Sequence, residues 1–287
     1  MLGAVCIGIM PNAAKLAYGE GVSPLGLLVL RSAIGAGGLA IFLWARREKL
    51  LVPRSHIPKT AAAGVALLLA AGGGMGAVAY IDVTVASVIF FTYPIFVAIV
   101  NHLRGTTRLS LAEIILIAMA FVGVALALRL QRRSLDGLNY TGLGLAFLSS
   151  VGITTVILTT TATTAALSAV RANLHMNVWG LIYFAALALV LPALGLAGET
   201  VYPQTAAAWL YVLLAALGFT LRYLLFFVAA KILGATEASV LSILELVFMI
   251  FFAVTLVGER LTALQTTGFL IVVVELVGFE LVSARKG

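Results

Sequence analysis

Charge is scarce in this chain: only 10% of its 287 residues are Asp, Glu, Lys or Arg, against about a quarter in an ordinary soluble domain, and 62% are hydrophobic. A water-soluble globular domain is excluded, and an integral membrane protein takes its place. Cysteine is nearly absent as well. Cys6 stands alone, which rules out an intrachain disulfide framework and any multi-cysteine metal site. The three histidines, His56, His102 and His175, are too scattered to read as a ligand cluster, so neither metal nor cofactor is expected. No basic segment precedes the apolar run that starts at Leu2, which argues against a cleaved signal peptide.

What is present is a series of apolar runs long enough to cross about 30 Å of hydrocarbon at 1.5 Å per residue. Ten are predicted, over 2–18, 24–46, 59–80, 83–103, 109–129, 140–162, 165–194, 205–231, 236–257 and 261–283. They are continuous rather than alternating, which favours helices over a β-barrel. The connections are short enough, Ile81-Asp82 and Gly234-Ala235 among them, that any chemistry has to sit inside the bundle. The net charge of +7 fits basic residues flanking cytoplasmic loops better than a nucleic-acid partner. With the N-terminus inside, the inner loops hold most of the Lys and Arg, so both termini are expected in the cytoplasm. Arg129, Arg132 and Arg133 run against that rule.

The sequence also repeats itself. ASVIFFTYPIF at 86–96 returns as ASVLSILELVF at 238–248, 152 positions later, with Thr84 falling on Thr236 and Arg108-Leu109 on Arg260-Leu261. The first two helices of each half align better at 140, which places Arg31 on Arg171. Two five-helix halves follow, 1–133 and 134–287, joined through the polar interval RLQRRSLDGLN. Because five is odd, the second half enters the membrane from the opposite side. Inverted halves are the architecture of alternating access, and transport is the direct inference.

Ionisable residues in hydrocarbon are costly and mark function by default. Arg222, Glu245 and Glu275 are expected at about 12 to 14 Å depth from their inner ends, with Arg222 and Glu245 adjacent as a coupling or structural charge pair. Arg171, His175, Trp179 and Tyr183 form one helical stripe, suited to lining a cavity or to packing. Asn12 and Lys15 lie one turn apart, where Lys15 either neutralises a substrate carboxylate or snorkels outward. Phe90, Phe91 and Tyr93 beside Pro94, with Tyr80, form a candidate aromatic wall. The candidate substrate-binding set is Asn12, Lys15, Tyr80, Phe90, Tyr93, His175, Trp179 and Ser242, with Pro94 as the gating kink. Gly72, Gly73, Gly74 and Gly76 are expected to permit close helix approach.

Enzyme readings find no support: there is no Gly-x-Ser-x-Gly elbow and no pair of Asp on facing helices. The GAGGLA at 35–40 has no strand before it and is no dinucleotide fingerprint. A channel with a polar lumen is the remaining rival to a carrier.

The Gly-Val-Ser-Pro segment at 21–24 followed by Arg31, Pro94 midway along helix four, and Gly258-Glu259-Arg260-Leu261 after helix nine resemble the drug/metabolite transporter superfamily, EamA type. Two positions depart from that pattern. Gly105-Thr106-Thr107-Arg108 stands where relatives often carry Gly-Glu-Arg, and Leu246 where a second proline is common. The resemblance implies an all-α polytopic fold of ten transmembrane helices in two inverted five-helix repeats, with helices five and ten outside the cavity. It further implies a secondary transporter of the bacterial cytoplasmic membrane, a monomer or homodimer among membrane lipid, exporting small metabolites. Amino acids are the first expectation, as in the aromatic amino acid exporter (YddG) branch, and a broad-specificity drug exporter is the alternative.

Overall fold

The structure is a computed structural model that describes residues 2–105, 110–127, 139–164, 168–233 and 245–284. Within them the chain makes ten helical passes. The first half comprises α1 (Leu2–Gly19), α2 (Pro24–Ala45), a third pass, a fourth pass and α7 (Leu111–Ala127). The third pass joins α3 (Ile57–Leu67) to α4 (Gly73–Ala77) through a π turn over Leu68–Gly72. The fourth is α5 (Val83–Phe90) followed by α6 (Tyr93–Leu103). The second half comprises α8 (Tyr140–Thr164), α9 (Ala169–Ala193), α10 (Ala206–Leu233), α11 (Glu245–Val257) and α12 (Ala263–Ala284). Among the described residues, α2, the third and fourth passes and α9 are individually long and apolar enough to cross a membrane.

Local chemistry sets the ends and the interruptions. Ser23 caps α2 by accepting from the Gly26 amide at 3.1 Å, and Pro24 starts the helix with its φ already fixed. The fourth pass breaks at Phe91-Thr92, because Pro94 has no N–H to offer the carbonyl four residues back. Hydroxyls gather at the break. Thr92 Oγ1 donates to the Ile89 carbonyl at 2.7 Å, and Thr154 Oγ1 lies 3.4 Å from the Tyr93 carbonyl.

Packing follows a two-fold pattern. The first pass lies against the eighth and the third against the sixth; the third touches the seventh and the second the eighth; the second packs on the seventh and the fifth on the tenth. Exchanging every pass with the one five further along maps each of these pairs onto another or onto itself. Glycines allow the closest of these approaches. A Cβ on Gly73 would sit 2.5 Å from the Leu145 carbonyl oxygen, and one on Gly152 would overlap the Ala70 backbone nitrogen. The third and sixth passes therefore meet backbone to backbone, as the glycine cluster predicts.

Loops at the two ends define two faces. The distal face, opposite the N-terminus, carries the turn after α1, the turn between the third and fourth passes and the segment between α11 and α12. The proximal face carries the segment between α2 and α3.

Candidate functional site

A cavity opens among the first, third, fourth, sixth, eighth and ninth passes, with about 590 Å³ of empty space, part of it open to solvent. Met10 and Pro11 come from α1, Gly74, Met75 and Val78 from the end of the third pass, and Ala86, Ser87 and Phe90 from α5. Ser149 and Ile153 of α8, Phe219 and Arg222 of α10 and Met249 of α11 complete the wall, with Ala70 and Ala71 from the π turn. Among the described residues, none of α7 or α12 takes part. Helices five and ten pack on each other outside the site.

The wall is apolar in effect as well as in composition. Ser87 Oγ donates to the Val83 carbonyl at 2.7 Å and Ser149 Oγ to the Ala70 carbonyl, so both hydroxyls are engaged with backbone. Among the described residues, Arg222 is the one charged residue of the lining. Its Nη2 lies 3.3 Å from Oε2 of Glu245, and both side chains are nearly buried. Phe219, one turn before Arg222 on α10, has the Arg31 guanidinium over its ring at 3.7 Å. Arg31 is fully buried, and its Nη2 is 3.5 Å from Ser32 Oγ.

Of the described residues singled out by sequence, Phe90 and Arg222 line this cavity, Glu245 pairs with Arg222, and the others are engaged outside the lining. Asn12 is completely buried, but its Nδ2 donates to the Gly8 carbonyl at 2.7 Å and the Met249 carbonyl at 2.9 Å, tying α1 to α11. Lys15 is held by the Val78 and Ile81 carbonyls at 2.7 and 3.2 Å, where the third pass ends. A cation suits carbonyls left open at a helix C-terminus, so its charge is used there rather than on a ligand in the cavity. Tyr80 is half exposed in the distal turn.

The stripe on α9 is packing. His175 Nε2 contacts the Leu50 carbonyl at 3.1 Å on the proximal face, Trp179 Nε1 donates to Thr60 Oγ1 at 3.2 Å, and Tyr183 Oη donates to the Ala61 carbonyl at 3.2 Å. The stripe thus faces the start of the third pass and not the cavity. Tyr93 packs against Phe90 and Phe91, with ring centroids 5.6 and 6.0 Å apart, outside the lining. Pro94 opens α6 just past the break. Glu275 is buried on α12 and is not one of the lining residues. Ser242 lies outside the described residues, as does the expected joint at 133/134.

Sequence reading missed Phe219 and the three methionines, which carry no charge or motif to mark them. The one available signal was that Phe219 precedes Arg222 by one helical turn, so the two share a face.

Comparison with known proteins bears on the same architecture. A solved structure described only as "Crystal structure of protein" superposes with a TM-score of 0.62, covering 98% of each chain at 16% identity, which establishes a shared fold and nothing finer. No curated protein matches the chain. The model of the EamA-like transporter family matches twice, over residues 1–129 and over residues 140–279. Two family units, ten passes related by a two-fold contact pattern and a cavity between the halves lead to one conclusion: the chain belongs to the EamA-like transporter family.

Proposed function

We propose that this transporter exports zwitterionic small metabolites with a bulky apolar group, neutral and aromatic amino acids first among them. The observation that carries the reading is the apolar cavity with the Arg222–Glu245 pair in reach. A zwitterion presents one carboxylate and one ammonium. It can enter between Arg222 and Glu245, exchanging one buried ion pair for two and leaving no charge uncompensated. The apolar group then meets Phe90, Phe219 and the methionines.

On this reading the halves 1–133 and 134–287 rock about the cavity, with the break before Pro94 as a flexing point of the fourth pass. The protein works in the bacterial cytoplasmic membrane with both termini inside, so the distal face meets the exterior. Met10, Met75 and Met249 favour a second reading, a broad-specificity drug exporter, because flexible thioethers adapt to varied apolar shapes. Uptake into proteoliposomes of a panel of amino acids and cationic dyes, with and without a pH gradient, separates the two. Saturable transport of phenylalanine or leucine supports the first reading. Dye transport with no amino-acid transport overturns it.

A further inference from the structure

The second pass of each half ends in the same way and carries different chemistry. At the end of α2 the Glu48 and Arg47 amides reach back to the Leu43 and Trp44 carbonyls, both at 2.9 Å. At the end of α9 the Leu196 and Gly195 amides reach the Leu191 and Pro192 carbonyls at 2.9 and 3.0 Å. Closing a helix this way puts one residue in the left-handed region, where a Cβ is unfavourable and glycine is the usual choice. Gly195 fills that place after α9 with φ 68°, and Gly21, Gly105 and Gly258 take the same conformation elsewhere. After α2 the place belongs to Arg47, at φ 54°, the one residue other than glycine with positive φ among the described residues. Glycine would close this helix with less strain, so what keeps an arginine there has to be its side chain.

The surroundings of Arg47 identify that use. Arg46, Arg47, Lys49, Arg54 and Lys59 are all exposed on the proximal segment after α2, against a single acid, Glu48. Among the described residues, none of the five forms an ion pair. Apolar side chains border them: Trp44 is 73% exposed and Leu51 79%, and the Arg46 guanidinium lies over the Phe42 ring, 5.1 Å from its centroid. Because α2 is long and apolar enough to cross a membrane, its end brings these rings to the boundary between acyl chains and headgroups. The segment after α9 supplies the contrast. It lies on the distal face, where the Ser23 amide donates to the Val201 carbonyl at 3.1 Å. It too exposes apolar residues, Leu194 and Leu196, but the only charge between positions 194 and 205 is Glu199.

We infer that the proximal segment 46–59 is a binding surface for anionic phospholipid headgroups, with Arg47 held in place to meet the phosphate. A guanidinium offers a fork of N–H donors that matches phosphate oxygens in pairs, and basic residues beside a membrane helix attract anionic lipid. A topology signal needs only basic charge in the loop and places no demand on the backbone of Arg47. The inference is independent of the transported substrate, because lipid binding is read without transport.

The test is thermal melting of the purified protein in a neutral detergent, titrated with phosphatidylglycerol, phosphatidylcholine or inorganic phosphate. Phosphatidylglycerol should raise the melting temperature of the parent, and the other two should not. Arg47→Gly and Arg47→Asn, both suited to the left-handed region, should melt no lower than the parent without lipid. They should need about fivefold more phosphatidylglycerol for the half-maximal shift, the effect of one basic residue near an anionic surface. Arg104→Asn, which removes an exposed arginine at the end of α6 on the same face, should need no more than the parent. An unchanged requirement in both Arg47 variants overturns the site, and so does an equal increase in Arg104→Asn, which would leave only diffuse charge. Equal shifts with phosphatidylcholine or with inorganic phosphate overturn the assignment to anionic lipid. If the Arg47 variants fail to fold, Lys49→Gln with Arg54→Gln decides instead. That pair should raise the phosphatidylglycerol requirement at least fivefold, and no rise overturns the proposal.

Discussion

The Arg31 guanidinium lies over the face of Phe219, with Cζ 3.7 Å from the ring centroid and 5.8 Å from that of Phe184, in a site closed to solvent. Phe219 is also part of the cavity wall. A desolvated cation–π contact is worth about 2 kcal/mol. Arg31→Lys keeps the charge but loses the planar stack. It should therefore lower the melting temperature in detergent and weaken the preference for large substrates, read as a smaller phenylalanine-to-alanine uptake ratio. A normal melt and an unchanged ratio would disconnect Arg31 from the wall.

The pair Arg222–Glu245 yields a sharper expectation. Breaking a buried pair by removing one partner costs about 3 to 5 kcal/mol, whereas removing both leaves no lone charge. Arg222→Met and Glu245→Gln should each destabilise the protein, and the double variant should recover much of that loss while remaining unable to transport. Thermal melts of all four proteins close the cycle. A double variant no more stable than the worse single would show that Arg222 and Glu245 are not coupled.

Close packing of the third and sixth passes sets a third. Gly152→Ala drives a methyl into the Ala70 backbone, and Gly73→Ala drives one to 2.5 Å from the Leu145 carbonyl, whereas Gly144 has nothing within 4 Å. Overpacking costs about 1 to 3 kcal/mol. The first two substitutions should lower the yield of monodisperse protein and its melting temperature, and Gly144→Ala should change neither.

A fourth separates packing from recognition among the aromatics. Trp179 and Tyr183 stack at 5.6 Å and hydrogen-bond to Thr60 and the Ala61 carbonyl, so Trp179→Phe should reduce stability by about 1 kcal/mol, the value of a typical hydrogen bond. Its relative affinities should stay as they were. Phe90→Ala, in the wall, should weaken large substrates more than small ones.

Why the passes were legible and the site was less so comes down to what a polar group in a membrane signifies. Length and hydropathy marked the passes from α1 to α12, and Pro94 marked the break in the fourth, because each follows from backbone rules that hold wherever the helix lies. Lys15, Asn12, His175 and Trp179 are ambiguous in sequence, since a buried polar side chain has to be satisfied either by a ligand or by a carbonyl. All four found protein partners. Arg222 and Glu245 lie at one level because α10 and α11 are consecutive passes, so their meeting at 3.3 Å was accessible to simple geometry. Phe219, Met75 and Met249 look like any other apolar residues of a membrane helix, and only the fold distinguishes the cavity wall from the lipid face.

The central claim is a carrier whose apolar cavity takes a zwitterion with a bulky side chain between Arg222 and Glu245. Counterflow tests it most directly: proteoliposomes loaded with unlabelled phenylalanine, alanine or buffer are given labelled phenylalanine outside, for the parent protein and for Phe90→Ala. The account predicts saturable uptake stimulated by internal phenylalanine, weaker stimulation by alanine, and a loss of that preference in Phe90→Ala. Uptake that neither saturates nor responds to internal amino acid would contradict it and return the channel reading.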